Sequence, residues 1–271
     1  MKHRFRILSA LTLGLSLLAQ APPSGSAPGL DLAKAQPITD QVPDDPEIAK
    51  VLVPLAVQMK AQFGRTLVEA PAAITRGLPG EENLLGYWVA DLMRERAQQY
   101  TELPVPFAIT NRGGLRANLP MGAVKVDDIY KLMPFENELV VAEYTGAEII
   151  QIVKESIRKR GGEPCSGIKA AVAGTVANPV YTITQSNGSA INAGEIYRLA
   201  LTDYLLTSGD NIPTLKLGRK PVLTGLTLRG VLLEACTRLG QAKAPLLAPA
   251  GGRYTYTPEI AQAIQAHALT P

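Results

Sequence analysis

Three short segments hold the residues whose types and spacing suit the recognition of a small ligand. Asn111-Arg112-Gly113-Gly114-Leu115-Arg116 follows the apolar run Phe107 to Thr110. Paired glycines at the end of a strand let the backbone approach a ligand or take a positive φ. The flanking arginines offer planar forks for carboxylate, phosphate or base edges. An ordinary glycine turn between surface arginines has the same pattern. Pro134-Phe135-Glu136-Asn137 precedes a second apolar run, and a Phe on such a turn either presents its ring face or fills core. The third segment, Leu201 to Asn211, carries Tyr204 and runs from a strand into a Gly209-Asp210 turn. Two rings and a carboxylate or carboxamide are the parts of a base clamp. The rings sandwich a flat heterocycle, with stacking of about 1–3 kcal/mol per base, and Asp or Asn bonds its polar edges. Spacing alone does not bring the three segments together.

Several chemistries are poorly supplied. The two histidines are His3 and His267, one near each end of the chain. Dinuclear phosphatase centres and zinc hydrolases rest on several imidazoles, and an acyl-transfer triad needs one held beside a nucleophile. No phosphate loop, dinucleotide fingerprint or CxxC is present. Lys2, Arg4 and Arg6, the apolar run Ile7 to Leu18 and Ala19-Gln20-Ala21 predict a secretory signal peptide over 1–21. Export implies a periplasmic or secreted protein, with no membrane attachment after cleavage. Removing those three basic residues from the net charge of +3 leaves about zero, so the rest of the chain carries no nucleic-acid footprint. Cys165 and Cys236 are compatible with one disulfide in an exported protein and equally with two separate buried thiols.

Residues 22–44, rich in Pro, Ser, Gly and Asp, predict a flexible linker, and a single domain is expected over 45–271. Asp45 before Pro46 caps a first helix to about Gln62, with a kink at Pro54 and Ile48, Val51, Leu52, Leu55 and Met59 on one face. Further helices are expected over Glu82 to Gln99, with Leu85, Trp88, Val89, Leu92 and Met93 on one side, over Gly146 to Lys159, and over Leu226 to Leu239 with Gly240 as C-cap. Strands are expected at Phe107 to Thr110, Leu139 to Tyr144, Val180 to Gln185 (before the Asn187-Gly188 turn) and Tyr197 to Thr202. A loop over Pro245 to Gly252 leads to a last strand, Arg253 to Thr257, and a terminal helix. Helices and strands without regular alternation imply an α+β fold with a mixed β-sheet and packed helices.

From Asp45 to Thr257 the sequence resembles the C-terminal, substrate-binding domain of 5'-nucleotidases and UDP-sugar hydrolases. The resemblance is carried by Glu81-Glu82-Asn83-Leu84-Leu85-Gly86, by Asn111 to Arg116, by Pro134 to Asn137 with Thr145-Gly146, and by Tyr197 to Asp210, all in the family's order. It implies that domain's fold and nucleotide or nucleoside binding. Phe135 and Tyr204 would stack the base, Arg116 would be an arginine contact, Asn111 would belong to the same binding loop, and Asn137 and Asp210 would be polar contacts. Arg76 would match a further family arginine, although its spacing to Gly86 differs and a companion arginine is missing. The family's Gly-Gly-Asp-Gly before an aromatic is Ser208-Gly209-Asp210-Asn211-Ile212 here, which implies less backbone freedom beside Tyr204.

In the family, hydrolysis belongs to an N-terminal metallophosphatase domain for which nothing before Asp45 has the length. The resemblance therefore implies no catalytic residue, metal or cofactor in this chain, and divalent metals only in a separately encoded metallophosphatase partner. Such a split enzyme predicts a ligand pocket and an exposed apolar patch. The alternatives are a stand-alone module with a drifted pocket and an autonomous hydrolase working through carboxylates.

Overall fold

Residues alternate in period two along the central strands, and the alternation builds two cores, one on each side of a single sheet. A computed structural model of the chain describes residue 39 and residues 42–78 and 81–266. The order of elements is α1 (Pro46–Phe63), β1 (Thr66–Ala70), α2 (Leu84–Ala97), β2 (Phe107–Ile109), β3 (Gly122–Lys125), α3 (Val126–Leu132), β4 (Glu138–Thr145) and α4 (Gly146–Arg160). There follow β5 (Cys165–Ser166), β6 (Ile168–Gly174), β7 (Pro179–Gln185), β8 (Ile196–Thr202), α5 (Asp203–Ser208), β9 (Arg219–Thr227), α6 (Leu228–Gln241), β10 (Tyr254–Tyr256) and α7 (Pro258–Gln265).

The main sheet has five strands in the order β5-β2-β8-β4-β9. β2 and β8 run parallel, and the other pairs are antiparallel. Ala108, Ala200, Leu139 and Val141 face the core made with α2, α3, α6, β1 and β3. Phe107, Ile109, Leu199, Leu201, Ala142 and Tyr144 face the core made with α4, α5, β6 and α7. A three-stranded sheet, β10-β6-β7, and a two-stranded sheet, β1-β3, complete the α+β architecture.

The chain divides into two units, Met1–Lys50 and Val51–Pro271, with the boundary inside α1. The signal peptide expected over 1–21, almost all of the linker expected over 22–44, and His267 lie outside the described residues. α1 runs through Pro54 and buries none of its residues, so the apolar face expected to pack is exposed instead.

α2 buries Leu85, Trp88, Val89, Leu92 and Met93, as its periodicity requires. It is shorter than the expected Glu82 to Gln99, because Asn83 caps its first turn and a 3-10 turn takes over at Gln98. At the fourth expected helix, Leu226 and Thr227 belong to β9, and α6 continues past Gly240 to Gln241. Gly240 is thus not a cap. A Cβ there would stand 1.8 Å from the Leu67 carbonyl oxygen, and the glycine lets α6 close onto β1. The turn after β7 is tight, with the Gly188 amide donating to the Gln185 carbonyl at 2.9 Å and Gly188 at φ 89°. Cys165 and Cys236 are free buried thiols in the two different cores. Burial pushes the first up to about 11 and the second to about 12.

Candidate functional site

Sheet topology brings the three segments that carry Asn111, Phe135 and Tyr204 together. Because β2 and β8 are parallel neighbours while β4 runs antiparallel beside β8, the ends of β2 and β8 and the beginning of β4 share one edge of the sheet. Asn111 follows β2, Tyr204 lies in the first turn of α5 directly after β8, and Phe135 and Asn137 precede β4. Asp203 joins two of these segments, its Oδ1 accepting from the Glu138 amide at 3.0 Å and the Tyr204 amide at 2.7 Å. Arg229 pairs with Glu136 and lies over the Tyr130 ring, 4.4 Å from its centroid, which holds the turn that carries Phe135.

A cavity of about 290 Å³ opens at this edge, lined by Asn111, Gly113, Gly114, Phe135, Asn137, Arg160, Tyr204 and Asp210. Phe135 is 41% exposed and Tyr204 42%, well above the core aromatics, and neither ring pairs with another aromatic among the described residues. Both side chains therefore keep exposed apolar surface at the cavity. Asn111 is buried and donates from Nδ2 to Asp210 Oδ2 at 3.0 Å. The same Oδ2 lies 2.8 Å from the Lys159 ammonium. Burial raises the Asp210 carboxyl, but Lys159, Asn111 and Arg160 outweigh it and hold the group below the usual range. Its Oδ1 has no hydrogen-bond partner among the described residues and remains available to a donor.

Neither Gly113 nor Gly114 takes a positive φ; both are small because side chains crowd them. A Cβ on Gly114 would meet Asn111 Oδ1 at 2.8 Å, and one on Gly113 would meet Arg160 Nη1 at 3.2 Å. The segment after Tyr204 differs from its expected form. α5 occupies Asp203–Ser208, so Tyr204 is helical, and Gly209, Asp210 and Asn211 then take φ of 71°, 42° and 63°. Asn tolerates the left-handed region better than most residues, so Asn211 keeps the turn although the family glycine is absent. Ile212 is buried in the core and does not line the cavity.

Of the expected site residues, Asn111, Phe135, Asn137, Tyr204 and Asp210 converge on the cavity, and Arg76 and Arg116 do not line it. Arg76 Nη1 donates to the Leu115 carbonyl, and Arg116 Nη1 donates to the Gly113 carbonyl at 3.0 Å. Arg160, absent from every motif, does line the cavity. It closes α4 within Arg158-Lys159-Arg160, a basic cluster that also suits a helix C-terminus facing its own dipole. The remaining motif residues build the frame. Asn83 Oδ1 accepts from the Gly86 amide at 2.8 Å at the start of α2. Thr145 and Glu148 form a reciprocal capping box at α4, and a Cβ on Gly146 would stand 2.1 Å from the Asn192 carbonyl oxygen.

No group of three His, Cys, Asp or Glu side chains placed to hold a metal ion is found among the described residues. No described helix is long and apolar enough to cross a membrane.

A mixed sheet between two cores, with a cavity of about 290 Å³ at one strand edge, defines an α+β domain. The family model of the 5'-nucleotidase C-terminal domain matches residues 62–217, more than half of the chain, which belongs to that family. The chain is 26% identical over 199 residues to a 5'-nucleotidase of Vibrio vulnificus, covering 73% of this chain and 35% of that protein. It is 24% identical over 197 residues to Protein UshA of Yersinia enterocolitica, covering 72% and 35%. It thus spans about a third of the length of these curated relatives. The fold is similar to that of a 5'-nucleotidase precursor from Thermus thermophilus, with a TM-score of 0.66 at 21% identity over 80% of this chain and 44% of the other. It is also similar to Haemophilus influenzae NAD nucleotidase, with a TM-score of 0.59 at 15% identity over 79% and 42%.

Proposed function

We propose that this chain is an exported nucleotide- or nucleoside-recognition domain, periplasmic or secreted, that takes the base of its ligand between Phe135 and Tyr204. The observation that carries this reading is the shared cavity: two unpaired, two-fifths exposed rings border it together with Asn111, Asn137 and Asp210. At about 290 Å³ it suits a base with its sugar better than an extended ligand. The free Asp210 Oδ1 offers an acceptor for hydroxyl or amine donors, and the carboxamide of Asn137 offers both a donor and an acceptor. Membership of the 5'-nucleotidase C-terminal domain family supports the same ligand class.

The domain supplies base recognition to a separately encoded metallophosphatase, which brings the metals and the attacking water. The apolar side chains of Val51, Leu52, Val53, Leu55, Val57 and Met59, each at least half exposed on α1, support a docking role for that helix. A module with a drifted pocket is the second reading, favoured by the engagement of Arg76 and Arg116 with backbone carbonyls.

Calorimetry with adenosine, AMP and UDP-glucose separates the two. Recognition predicts heat with at least one of them, abolished or strongly reduced by Phe135→Ala. Absence of heat with all three favours the drifted module. Phosphate release by the purified chain with added Mn²⁺ or Zn²⁺ would instead point to an autonomous hydrolase.

A further inference from the structure

Resting on the base-recognition reading, we infer that Arg160 is the anion-reading residue of this cavity and sets its preference for a nucleotide phosphate over an uncharged nucleoside. The other cations around the cavity already have acceptors. Arg76 and Arg116 donate to the Leu115 and Gly113 carbonyls, and Arg112 Nη1 donates to the carbonyls of Arg76 and Gly77, each at 2.8 Å. Lys159 lies between Asp210 at 2.8 Å and Glu163 at 3.2 Å.

Arg160 is different. It lines the cavity, its side chain is 37% exposed, and its nearest acidic group, Glu163 Oε1, is 3.9 Å away, beyond hydrogen-bond distance. Oε2 of that carboxylate accepts from the Arg112 amide at 2.6 Å, while the buried Oε1 lies 3.2 Å from the Lys159 ammonium and accepts no hydrogen bond. No described residue accepts a hydrogen bond from the Arg160 guanidinium.

Position and charge agree with an anion contact. The left-handed Gly161, φ 73°, ends α4 immediately after Arg160, and the bare backbone of Gly113 leaves room for its Nη1. Lys159 neutralises Asp210, so the carboxylate on the cavity wall repels an incoming anion little. A guanidinium fork that makes no hydrogen bond to the described residues, beside a cavity bordered by two rings, matches a ligand with a planar group at one end and phosphate oxygens at the other.

The test is calorimetry of adenosine and AMP on the full chain and on its Arg160→Gln and Arg160→Lys variants, at low and moderate salt. The full chain binds AMP at least tenfold more tightly than adenosine. Arg160→Gln removes about tenfold or more of the AMP affinity, as expected for charge-assisted hydrogen bonds, and leaves adenosine unchanged. Arg160→Lys retains part of the preference, and the preference narrows with salt. Adenosine binding with an AMP preference untouched by Arg160→Gln overturns this inference and leaves base recognition standing. An equal loss of both ligands also overturns it, because Arg160 would then act on the base or the loop. No binding of either ligand by the full chain overturns the inference, and if UDP-glucose gives no heat either, the reading beneath it falls as well.

Discussion

The Lys159 ammonium lies 2.8 Å from Oδ2 of Asp210, at the point where the end of α4 meets the turn after α5. Both side chains are mostly buried, at 10% and 14% exposure, and Nδ2 of the Asn111 side chain donates to the same oxygen from the end of β2. One ion pair thus ties the basic end of a helix to two of the three segments that border the cavity.

Removing the cation from this pair leaves Asp210 and the buried Glu163 without it, so Lys159→Met is expected to destabilise the fold by about 3 kcal/mol. Urea denaturation at neutral pH measures the loss. The ionised Asp210 contributes stability that is present above the ordinary carboxylate range and lost as pH falls through its depressed value. In Lys159→Met the opposing effect of burial has less against it, so the Asp210 value rises and the acid limb of ligand binding moves to higher pH. An unchanged limb would show that Asp210 takes no part in binding.

Asn211 holds a φ of 63°, where most side chains crowd the backbone. Asn211→Gly is expected to be close to neutral, whereas Asn211→Val should cost about 1–2 kcal/mol. Because this turn carries Asp210, the valine variant also loses ligand affinity. Equal stability of the two variants, by denaturant titration, would contradict the role assigned to the turn.

Arg219 grips Glu148 bidentately, at 2.9 and 2.6 Å, and ties the start of β9 to the capping box of α4. The Arg219 fork, acting against burial and joined by the Thr145 amide and hydroxyl, holds the Glu148 carboxyl at about 2. A depressed carboxylate stabilises the fold above its unfolded value, about 4.3, and that contribution disappears as pH falls toward 2. Glu148→Gln is therefore expected to cost about 1 kcal/mol at pH 7 and little at pH 2. A constant difference across that range would rule out the ion pair as the source.

The elements that position the cavity were legible where local signals were strong. α2 announces itself by the periodicity of Leu85, Trp88, Val89, Leu92 and Met93, β2, β4, β7 and β8 by short apolar runs, and α4 matches the helix expected from Gly146. The strands β1, β3, β5, β6 and β9 and the helices α3 and α5 were not expected. Their residues carry weak local preference, and tertiary pairing decides their state: Ala170, Ala171 and Ala173 lie in β6 between β7 and β10. Gly240 illustrates the same limit, since a glycine near a helix end reads as a cap until β1 is known to press against it. The rings and carboxamides of the cavity could be named because the family motifs carry them. Arg160 could not, because its opening toward the cavity depends on the bare backbone of Gly113 across the fold.

The most direct test of base recognition is a crystal structure of the chain soaked with AMP. Base density between the rings of Phe135 and Tyr204, with Asp210 Oδ1 and Asn137 within hydrogen-bond distance of the nucleoside, is the expected result. Rings that close on each other and exclude the ligand, or AMP bound only elsewhere on the surface, would contradict it.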